Sequence, residues 1–290
     1  MAELRKPEWI RVRLPAGDTW QQVRQSLEKN HLHTVCDEAQ CPNKGECWGQ
    51  GTATFMIMGD TCTRSCRFCA VKTAKEGNPL NKDEGEALAA AAKELGLKYL
   101  VLTSVDRDDL ADRGSGHFAS CIKTIKEKIP GIKTEALIPD YSEAELVIIA
   151  QFPPAVLAHN VETVRSLQHI RDSRAHFDKS LETLKAAKRL DFNLTKTSLL
   201  MGLGERPEEV FSVMDELREA DVDILVMGQY LRPSPKQIPV VEYVTPDQFA
   251  RYAEEALKRG FKSVVSSPLA RTSYHAREGH TQAAGGAGEA

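Results

Sequence analysis

The sequence lacks several features that would place it in a large class of proteins. No apolar run approaches the ~18 residues that a membrane-spanning helix requires, so we expect no membrane-embedded part. Residues 1–20 are charged throughout and have no apolar core of a secretory signal, which predicts a cytoplasmic protein. Lys and Arg number 38 against 41 Asp and Glu, so we expect no broad electrostatic binding of nucleic acid.

A Gly-x-Gly-x-x-Gly motif is also missing after the first predicted strand, which weakens a dinucleotide-binding fold. What the chain has is an alternation of short apolar runs with helical patterns. The predicted strands are 52–59, 98–105, 132–139, 155–162, 193–203, 223–231 and 261–268. Helical spacing of apolar residues is clearest at 19–30, 116–129, 178–190, 207–220 and 246–259. This alternation predicts an α/β protein with a parallel sheet, and we favour a full or partial barrel over an open sheet.

Two parts of the chain lie outside these repeats. Residues 1–51 contain turn signals around one helical segment, so we expect an N-terminal extension followed by a barrel at 52–270. Residues 271–290 form the last part, in which the small residues at 283–290 predict a disordered tail.

The cysteines are unevenly distributed, since six of the seven fall between Cys36 and Cys69. An odd number of cysteines in a reducing compartment argues against disulfides and favours metal binding. Cys62, Cys66 and Cys69 directly follow the first strand, which in a β/α barrel leads to the mouth where active sites are built. Three thiolates suit zinc, Cu(I) or an iron–sulfur cluster, and on a [4Fe–4S] cluster they leave one iron open.

A second triad, formed by Cys36, Cys41 and Cys47, lies in the N-terminal extension and also lacks a fourth thiol. On the residues alone, a structural zinc site is about as plausible as a cluster here. The nearby His31 and His33 are the best candidates to complete a zinc shell.

The Cys-x3-Cys-x2-Cys triad, with an aromatic before its last cysteine, resembles the radical S-adenosylmethionine superfamily. Together the two triads resemble the lipoyl synthase family, and segments 160–164, 195–205, 223–234 and 268–274 extend this resemblance along the chain. It implies a partial (β/α)6 TIM-type barrel of the radical SAM kind, with the N- and C-terminal extensions over the barrel mouth.

The resemblance also implies two [4Fe–4S] clusters. The cluster on Cys62, Cys66 and Cys69 would bind S-adenosylmethionine through its open iron. The other cluster, the sulfur source, would be held by the Cys36 triad and by a serine of an Arg-Ser-Ser-Tyr motif. Here that motif reads Arg271-Thr272-Ser273-Tyr274, so Ser273 matches the ligand serine and Thr272 remains an alternative.

The implied activity is radical-mediated insertion of two sulfur atoms at C6 and C8 of a protein-bound octanoyl-lysine, consuming two S-adenosylmethionine molecules. The implied partners are octanoylated lipoyl-carrier domains, namely 2-oxoacid dehydrogenase E2 subunits and the glycine cleavage H protein. An electron donor such as flavodoxin or ferredoxin is also implied. Neither nucleic acid nor a membrane is expected as a partner.

Six further residues are candidates for binding S-adenosylmethionine by analogy with the superfamily. Phe68 is expected beside the adenine, or as a hydrophobic plug over the cluster. Thr103 and Ser104 end the second strand, where they accept from the methionine amine or simply cap the strand. Glu135 and Asn160 are assigned to the ribose, and Lys196 to the carboxylate or the substrate. A hydrogen-bonded network inside the barrel explains these last three equally well.

Three other functions compete with this interpretation. A biotin synthase-like enzyme would need further cysteines on barrel strands, but after Cys69 only Cys121 remains, in a helical pattern typical of a core residue. A zinc-stabilised binding module without catalysis would contain no iron. An electron carrier fits poorly, because ferredoxins supply four cysteines for each cluster.

Overall fold

The computed structural model describes residues 4–12 and 17–285. Its backbone divides into two compact units. The N-terminal unit comprises Val12–Ser65 and Cys69–Ala155, and the C-terminal unit comprises Met1–Arg11, Cys66–Phe68 and Val156–Ala290. The division expected from the sequence, a barrel with two extensions, stays a prediction.

The elements of the N-terminal unit in chain order are α1 (Asp18–Lys29), β1 (His33–Thr34), α2 (Val35–Glu38), α3 (Lys44–Gly49), β2 (Thr54–Ile57), β3 (Thr61–Cys62), β4 (Lys72–Thr73), α4 (Glu84–Glu94), β5 (Tyr99–Ser104), α5 (Ser115–Lys128), β6 (Lys133–Leu137) and α6 (Glu143–Ala150). Four of its strands are neighbours in the order β1-β2-β5-β6, in which β2, β5 and β6 are parallel and β1 is antiparallel to β2. Two short strands, β3 and β4, pair separately.

The C-terminal unit contains β7, β8, β9 and β10, in which β8 is parallel to both β7 and β9, and β9 is parallel to β10. Helices follow these strands as in repeated β/α units. The elements are β7 (Val156–Ala158), a 3₁₀ helix (Arg165–Ile170), α7 (Phe177–Arg189), β8 (Thr195–Met201), α8 (Pro207–Glu219), β9 (Ile224–Gln229), α9 (Pro246–Lys258), β10 (Ser263–Ser267) and α10 (Ala276–Ala283).

Helix α8 shows how the sequence produces these elements. It begins at Pro207, whose missing N–H costs nothing in the first turn. Its stripe of Val210, Val213, Met214 and Leu217 is fully buried against β8 and β9 in a core cluster of the C-terminal unit. Burying each such side chain stabilises the fold by about 1.5–3 kcal/mol.

All seven predicted strands and all five predicted helices are confirmed, with ends that differ by a few residues. The short helices α2 and α3 were not foreseen, because four to six residues show no helical period. The predicted disordered tail begins where α10 ends at Ala283, and its residues 286–290 lie outside the described residues. Across the part of the chain that the structure describes, every helix is too short or too polar to cross a membrane.

Candidate functional site

The loop after β3 carries the first cysteine triad, and its beginning is held by the segment that follows β5. The backbone N–H and the hydroxyl of Thr63 both donate to the carbonyl oxygen of Asp106, each at 2.9 Å. The same hydroxyl lies 3.0 Å from a carboxylate oxygen of Asp108. Because β2 and β5 are adjacent and parallel, the chain segments beyond their carboxyl ends meet at the same edge of the sheet.

Arg64, between Cys62 and Cys66, fixes this loop with a buried guanidinium group whose side chain is 4% exposed. Its Nε and Nη2 each lie 2.9 Å from one oxygen of Asp108, which is a bidentate pair. Nη2 also lies 2.8 Å from Asp140, and Nη1 lies 3.3 Å from Asp106. Arg113 is a second cation that pairs with Asp140 and Asp108. These charges hold the loop rigidly at its start.

Cys62 lies beside this network. Its sulfur accepts a hydrogen bond from the Arg64 backbone N–H at 3.4 Å and lies 3.9 Å from Asp106 Oδ2. Burial, together with the Asp106 carboxylate and Cys69, raises the pKa of the Cys62 thiol to about 12. The neutral thiol is thus favoured at this position, and a metal ion bound to the sulfur would favour the thiolate.

Cys66 and Phe68 belong to the C-terminal unit. The Asp172 backbone N–H donates to the Cys66 sulfur at 3.3 Å. The Arg67 N–H donates to the Ile170 carbonyl at 2.8 Å, which anchors the segment Cys66–Phe68 to the 3₁₀ helix. The Phe68 ring packs on the apolar cluster that contains Ile170 and Leu203, so it has the hydrophobic contacts expected of a plug. Its place beside an adenine stays a prediction.

The second triad is assembled from α2, a tight turn and α3. The N–H of Cys41 donates to the Cys36 carbonyl at 3.0 Å, and the N–H of Lys44 donates to the Cys41 carbonyl at 3.3 Å. Burial raises the pKa of Cys36 to about 11 and that of Cys47 to about 12, and in each case the neighbouring cysteines add to the rise. Cys36 is buried, whereas Cys41 and Cys47 are partly buried.

The spacing of this triad distinguishes between kinds of metal group. Among the residues that the structure describes, one trio of possible ligands has its ligand atoms within 4.8 Å of one another, and it is formed by Glu84, His117 and Cys121. A single tetrahedral zinc, with Zn–S bonds of about 2.3 Å, holds its sulfurs about 3.8 Å apart. The Cys36 triad is more open than that, and no zinc-like trio within the described residues includes His31 or His33. The three sulfurs are therefore spaced more widely than a single tetrahedral zinc requires, and a cluster of several irons at this triad stays a prediction.

The Glu84 trio is a hydrogen-bonded part of the core. The His117 Nε2 atom lies 2.6 Å from Glu84 and 3.7 Å from the Cys121 sulfur. Both Glu84 oxygens accept from the Met58 N–H at the end of β2. Cys121 is buried, as its helical pattern predicts. Its neighbours were not foreseen: His117 lies one turn earlier in α5, whereas Glu84 comes from a different helix, α4.

The two candidate ligand hydroxyls of the C-terminal motif have different surroundings. The Thr272 hydroxyl is buried, 2.9 Å from the Ser198 hydroxyl and 3.1 Å from the Asn160 amide nitrogen. Ser273 is half-buried, and its hydroxyl makes no hydrogen bond to the described residues. The Thr272 hydroxyl is therefore occupied by hydrogen bonds within the protein, whereas the Ser273 hydroxyl is available as a metal ligand. The predicted approach of Ser273 to the Cys36 triad stays a prediction.

The remaining candidates occupy strands. The Thr103 hydroxyl donates to the Leu137 carbonyl at 3.1 Å, whereas the buried Ser104 hydroxyl has no partner among the described residues. Glu135, fully buried in β6, accepts from the Tyr99 hydroxyl at 2.9 Å. Burial and this carboxylate raise the pKa of Tyr99. Lys196 is buried in β8. Glu135 and Asn160 each make hydrogen bonds within their own unit, and contacts of these residues with S-adenosylmethionine stay predictions.

Sequence reasoning missed the acidic cluster around Arg64. Its signal was the dense charge of Asp106-Arg107-Asp108-Asp109 directly after a buried strand, where charged side chains must be paired or bind a ligand. Arg107 repeats the pattern in this segment, since its buried guanidinium lies 2.9 Å from Asp109 and 2.8 Å from the Asn78 carbonyl. The segment after β5 is therefore a rigid support for the cysteine loop.

Two family models match the chain. The model of the Radical SAM superfamily matches residues 56–228, and that of the N-terminal domain of lipoyl synthase matches residues 1–41. A lipoyl synthase of Anaeromyxobacter dehalogenans is 51% identical over 281 residues, which cover 95% of each chain. A lipoyl synthase of Methanocella arvoryzae is 49% identical over 279 residues, which cover 94% of each chain.

Solved structures agree on the fold. The FeFe-hydrogenase maturase HydG from Carboxydothermus hydrogenoformans matches with a TM-score of 0.59 at 13% identity, covering 91% of this chain and 60% of that one. Methylornithine synthase (PylB) matches with a TM-score of 0.57 at 16% identity, covering 74% and 72%. At such low identity these likenesses concern the fold alone. With the superfamily match, they confirm the predicted α/β fold of the radical SAM kind.

Proposed function

Because the chain belongs to the lipoyl synthase family of the radical SAM superfamily, we propose that it inserts sulfur at C6 and C8 of a carrier-bound octanoyl-lysine to give lipoyl-lysine. The observation that carries this proposal is the presence of two separate cysteine triads, each one thiol short of four. A biotin synthase-like enzyme lacks support, since the seventh cysteine lies in the core of α5.

The two triads have different ligand roles in this proposal. Cys62, Cys66 and Cys69 hold a [4Fe–4S] cluster and leave one coordination position for S-adenosylmethionine. The Cys36 triad and Ser273 hold the second cluster, for which a serine oxygen is a harder and weaker ligand than a thiolate. When bound, these groups supply the radical chemistry and the sulfur, which no protein side chain supplies.

The chain's own residues position these groups and keep water out. The Arg64 guanidinium and the Thr63 hydrogen bonds fix the first half of the Cys62 loop, so that its thiols meet the metal in a preformed arrangement. The Arg64 backbone N–H at Cys62 and the Asp172 backbone N–H at Cys66 donate to sulfur and stabilise thiolates. Thr272, hydrogen-bonded to Ser198, holds the adjacent Ser273 in place.

Further residues are proposed to contact S-adenosylmethionine. Ser104 is the stronger of the two strand-end candidates, because its buried hydroxyl has no partner in the described chain whereas Thr103 donates to the sheet. We assign Phe68 to the adenine, Glu135 and Asn160 to the ribose hydroxyls, and Lys196 to the carboxylate or the substrate.

The proposal extends to partners and location. The substrates are octanoylated carrier domains of the 2-oxoacid dehydrogenase E2 subunits and the glycine cleavage H protein. A flavodoxin or ferredoxin is the proposed electron donor, and the cytoplasm is the proposed compartment. Residues 1–51 and 271–290 act as extensions that bring ligands of the second cluster to the barrel at 52–270.

The direct test is anaerobic incubation of the reconstituted chain with S-adenosylmethionine, a reductant and an octanoyl-lysine peptide, analysed by mass spectrometry. We expect a peptide that has gained two sulfur atoms, together with 5′-deoxyadenosine. The variant C36A should lose sulfur insertion, and the matched control C121A, in the core of α5, should keep it. Formation of 5′-deoxyadenosine by the parent chain with no sulfur in the peptide would contradict the proposal.

A second pair of variants tests the choice of ligand hydroxyl. Ser273→Ala should lower sulfur insertion by at least about tenfold, because it removes a metal ligand. Thr272→Ala removes hydrogen bonds to Ser198 and Asn160 but leaves the Ser273 hydroxyl in place, so insertion should persist. If Thr272→Ala abolishes insertion while Ser273→Ala keeps it, Thr272 is the ligand.

A further inference from the structure

We propose that Glu84, His117 and Cys121 form a binding site for a single zinc ion, which joins α4 and α5 to the end of β2. The site lies entirely within the N-terminal unit. It goes beyond the proposed sulfur chemistry, because neither cysteine triad supplies a ligand to it and the metal takes no part in sulfur insertion.

The three side chains converge on one point from two helices. Their ligand atoms all lie within 4.8 Å of one another. His117 and Cys121 are four residues apart in α5, so they are neighbours on the same face of the helix. Glu84 is the first residue of α4. A carboxylate, an imidazole and a thiolate are the three kinds of side-chain ligand that zinc binds in proteins.

The distances are close to those around a tetrahedral ion. Zn–S and Zn–N bonds of about 2.3 Å and 2.0 Å hold the sulfur and the nitrogen ~3.5 Å apart. The Cys121 sulfur lies 3.7 Å from His117 Nε2. The Glu84 oxygen lies nearer to the same nitrogen, at 2.6 Å, because a proton lies between them in a hydrogen bond. Zinc takes the place of that proton, and this pair then widens to ~3.3 Å.

The packing of the helices brings the ligands together. Gly85 follows Glu84 in α4. A Cβ at Gly85 would lie 3.1 Å from Thr124 and 3.4 Å from the Cys121 Cα atom, so α4 packs directly on the turn of α5 that carries the thiol. Both oxygens of Glu84 accept from the N–H of Met58, which follows β2 with a positive φ of 67°. The carboxylate is therefore held in position by the backbone at the end of β2.

Charge and burial also favour a divalent cation. An ionised Glu84 and a Cys121 thiolate carry two negative charges, which Zn²⁺ neutralises, while the imidazole binds as a neutral ligand. A buried site without net charge avoids the cost of an uncompensated charge. Cys121 is 1% exposed, but the Glu84 and His117 side chains are 9% and 11% exposed, so water reaches the fourth coordination position. Mg²⁺ and Ca²⁺ prefer oxygen ligands and would not use the thiolate.

The experiment uses the full chain after anaerobic reconstitution with iron and sulfide. The protein is dialysed against Zn²⁺ with a competing chelator, and zinc and iron per chain are measured by inductively coupled plasma mass spectrometry. His117→Gln and Cys121→Ser each remove one ligand at similar size. Glu84→Gln removes the charge but keeps an oxygen that accepts from Met58. His169→Gln is the matched control, because this histidine is exposed in the C-terminal unit.

We expect one zinc per chain in the parent and in His169→Gln. The three ligand variants should lose zinc affinity by at least about 100-fold at unchanged iron content, since removal of an outer-shell partner alone costs about 10–100-fold. Zinc X-ray absorption of the parent should show one sulfur at about 2.3 Å, together with nitrogen and oxygen at about 2.0 Å. This spectrum requires no variant, so it tests the site even where a variant fails to fold.

Two results would overturn the inference. One is a parent chain that binds no more zinc than Cys121→Ser. The other is a zinc shell of three sulfurs, which would place the ion in a cysteine triad rather than at Glu84, His117 and Cys121.

Discussion

Replacing Arg64 by methionine tests the claim that a buried ion network positions the first cysteine loop. Methionine keeps much of the length and apolar volume of the stem but removes the charge. The change leaves Asp106, Asp108 and Asp140 with Arg113 as their remaining cation in the network. Because the Asp140 side chain is fully buried, its charge has no access to water.

Removing one partner of a buried ion pair costs about 3–5 kcal/mol, since an uncompensated charge stays behind. Arg113 still contacts two of the three carboxylates, so we expect the lower end of this range, about 3 kcal/mol of the free energy of unfolding. Urea unfolding of the apoprotein at pH 7, followed by circular dichroism, measures this loss. The control Arg24→Met removes an exposed pair with Glu28 and should have no measurable effect.

The pH dependence provides a second check. Burial raises the pKa of Asp106, and the Arg64 guanidinium opposes that rise. Without Arg64 this folded-state pKa rises further above its unfolded value. The destabilisation is then greatest where the unfolded chain is ionised, and it shrinks as the pH falls through the folded-state pKa. A loss below about 1 kcal/mol at pH 7, or a loss that stays constant as the pH is lowered into the acid range, would refute the reasoning.

Two further predictions concern the C-terminal unit. Burial raises the pKa of Asp223, but the ion pairs with Lys188 and Lys262 outweigh burial and hold this pKa below its usual range. The ionised Asp223 therefore stabilises the fold fully above about pH 4, and this stabilisation is lost as the pH falls through the lowered pKa. Asp223→Asn should lower the free energy of unfolding, measured with urea, by about 2 kcal/mol at pH 7 and by much less in acid. An equal loss of stability at pH 7 and in acid would contradict the role of this carboxylate. At Gly228 a Cβ would lie 1.9 Å from the Ala270 carbonyl oxygen, so Gly228→Ala should cost at least about 2 kcal/mol and displace the adjacent Arg-Thr-Ser-Tyr motif. Parent-like unfolding of Gly228→Ala would contradict that packing.

The elements of the fold were predictable because their signals are local. Strand β9 begins with a continuous buried apolar run, Ile-Leu-Val-Met, and α8 shows its core face at every third or fourth residue. Helices α2 and α3 were missed because they are shorter than two helical turns. Tertiary contacts such as the Trp20–Trp48 ring pair, rather than helix period, stabilise them.

The cysteine ligands were predictable for the same reason, since each triad lies within a dozen consecutive residues. The supporting groups were not, because they come from distant parts of the chain. Arg64 pairs with Asp140, which lies 76 residues further along the chain, and Thr272 is hydrogen-bonded to Asn160, 112 residues before it. Charged residues in a loop predict a solvated surface by default, and only the fold shows that these are buried and paired.

The proposed function requires that the two cysteine triads each bind their own cluster. Iron and sulfide content of oxygen-protected, reconstituted protein tests it most directly, in the parent chain and in two triple alanine variants. We predict about eight iron atoms per parent chain, and about four in the variant lacking Cys36, Cys41 and Cys47 as well as in the variant lacking Cys62, Cys66 and Cys69. A parent chain that binds only about four irons, or an N-terminal triad that binds one zinc instead, would contradict the account.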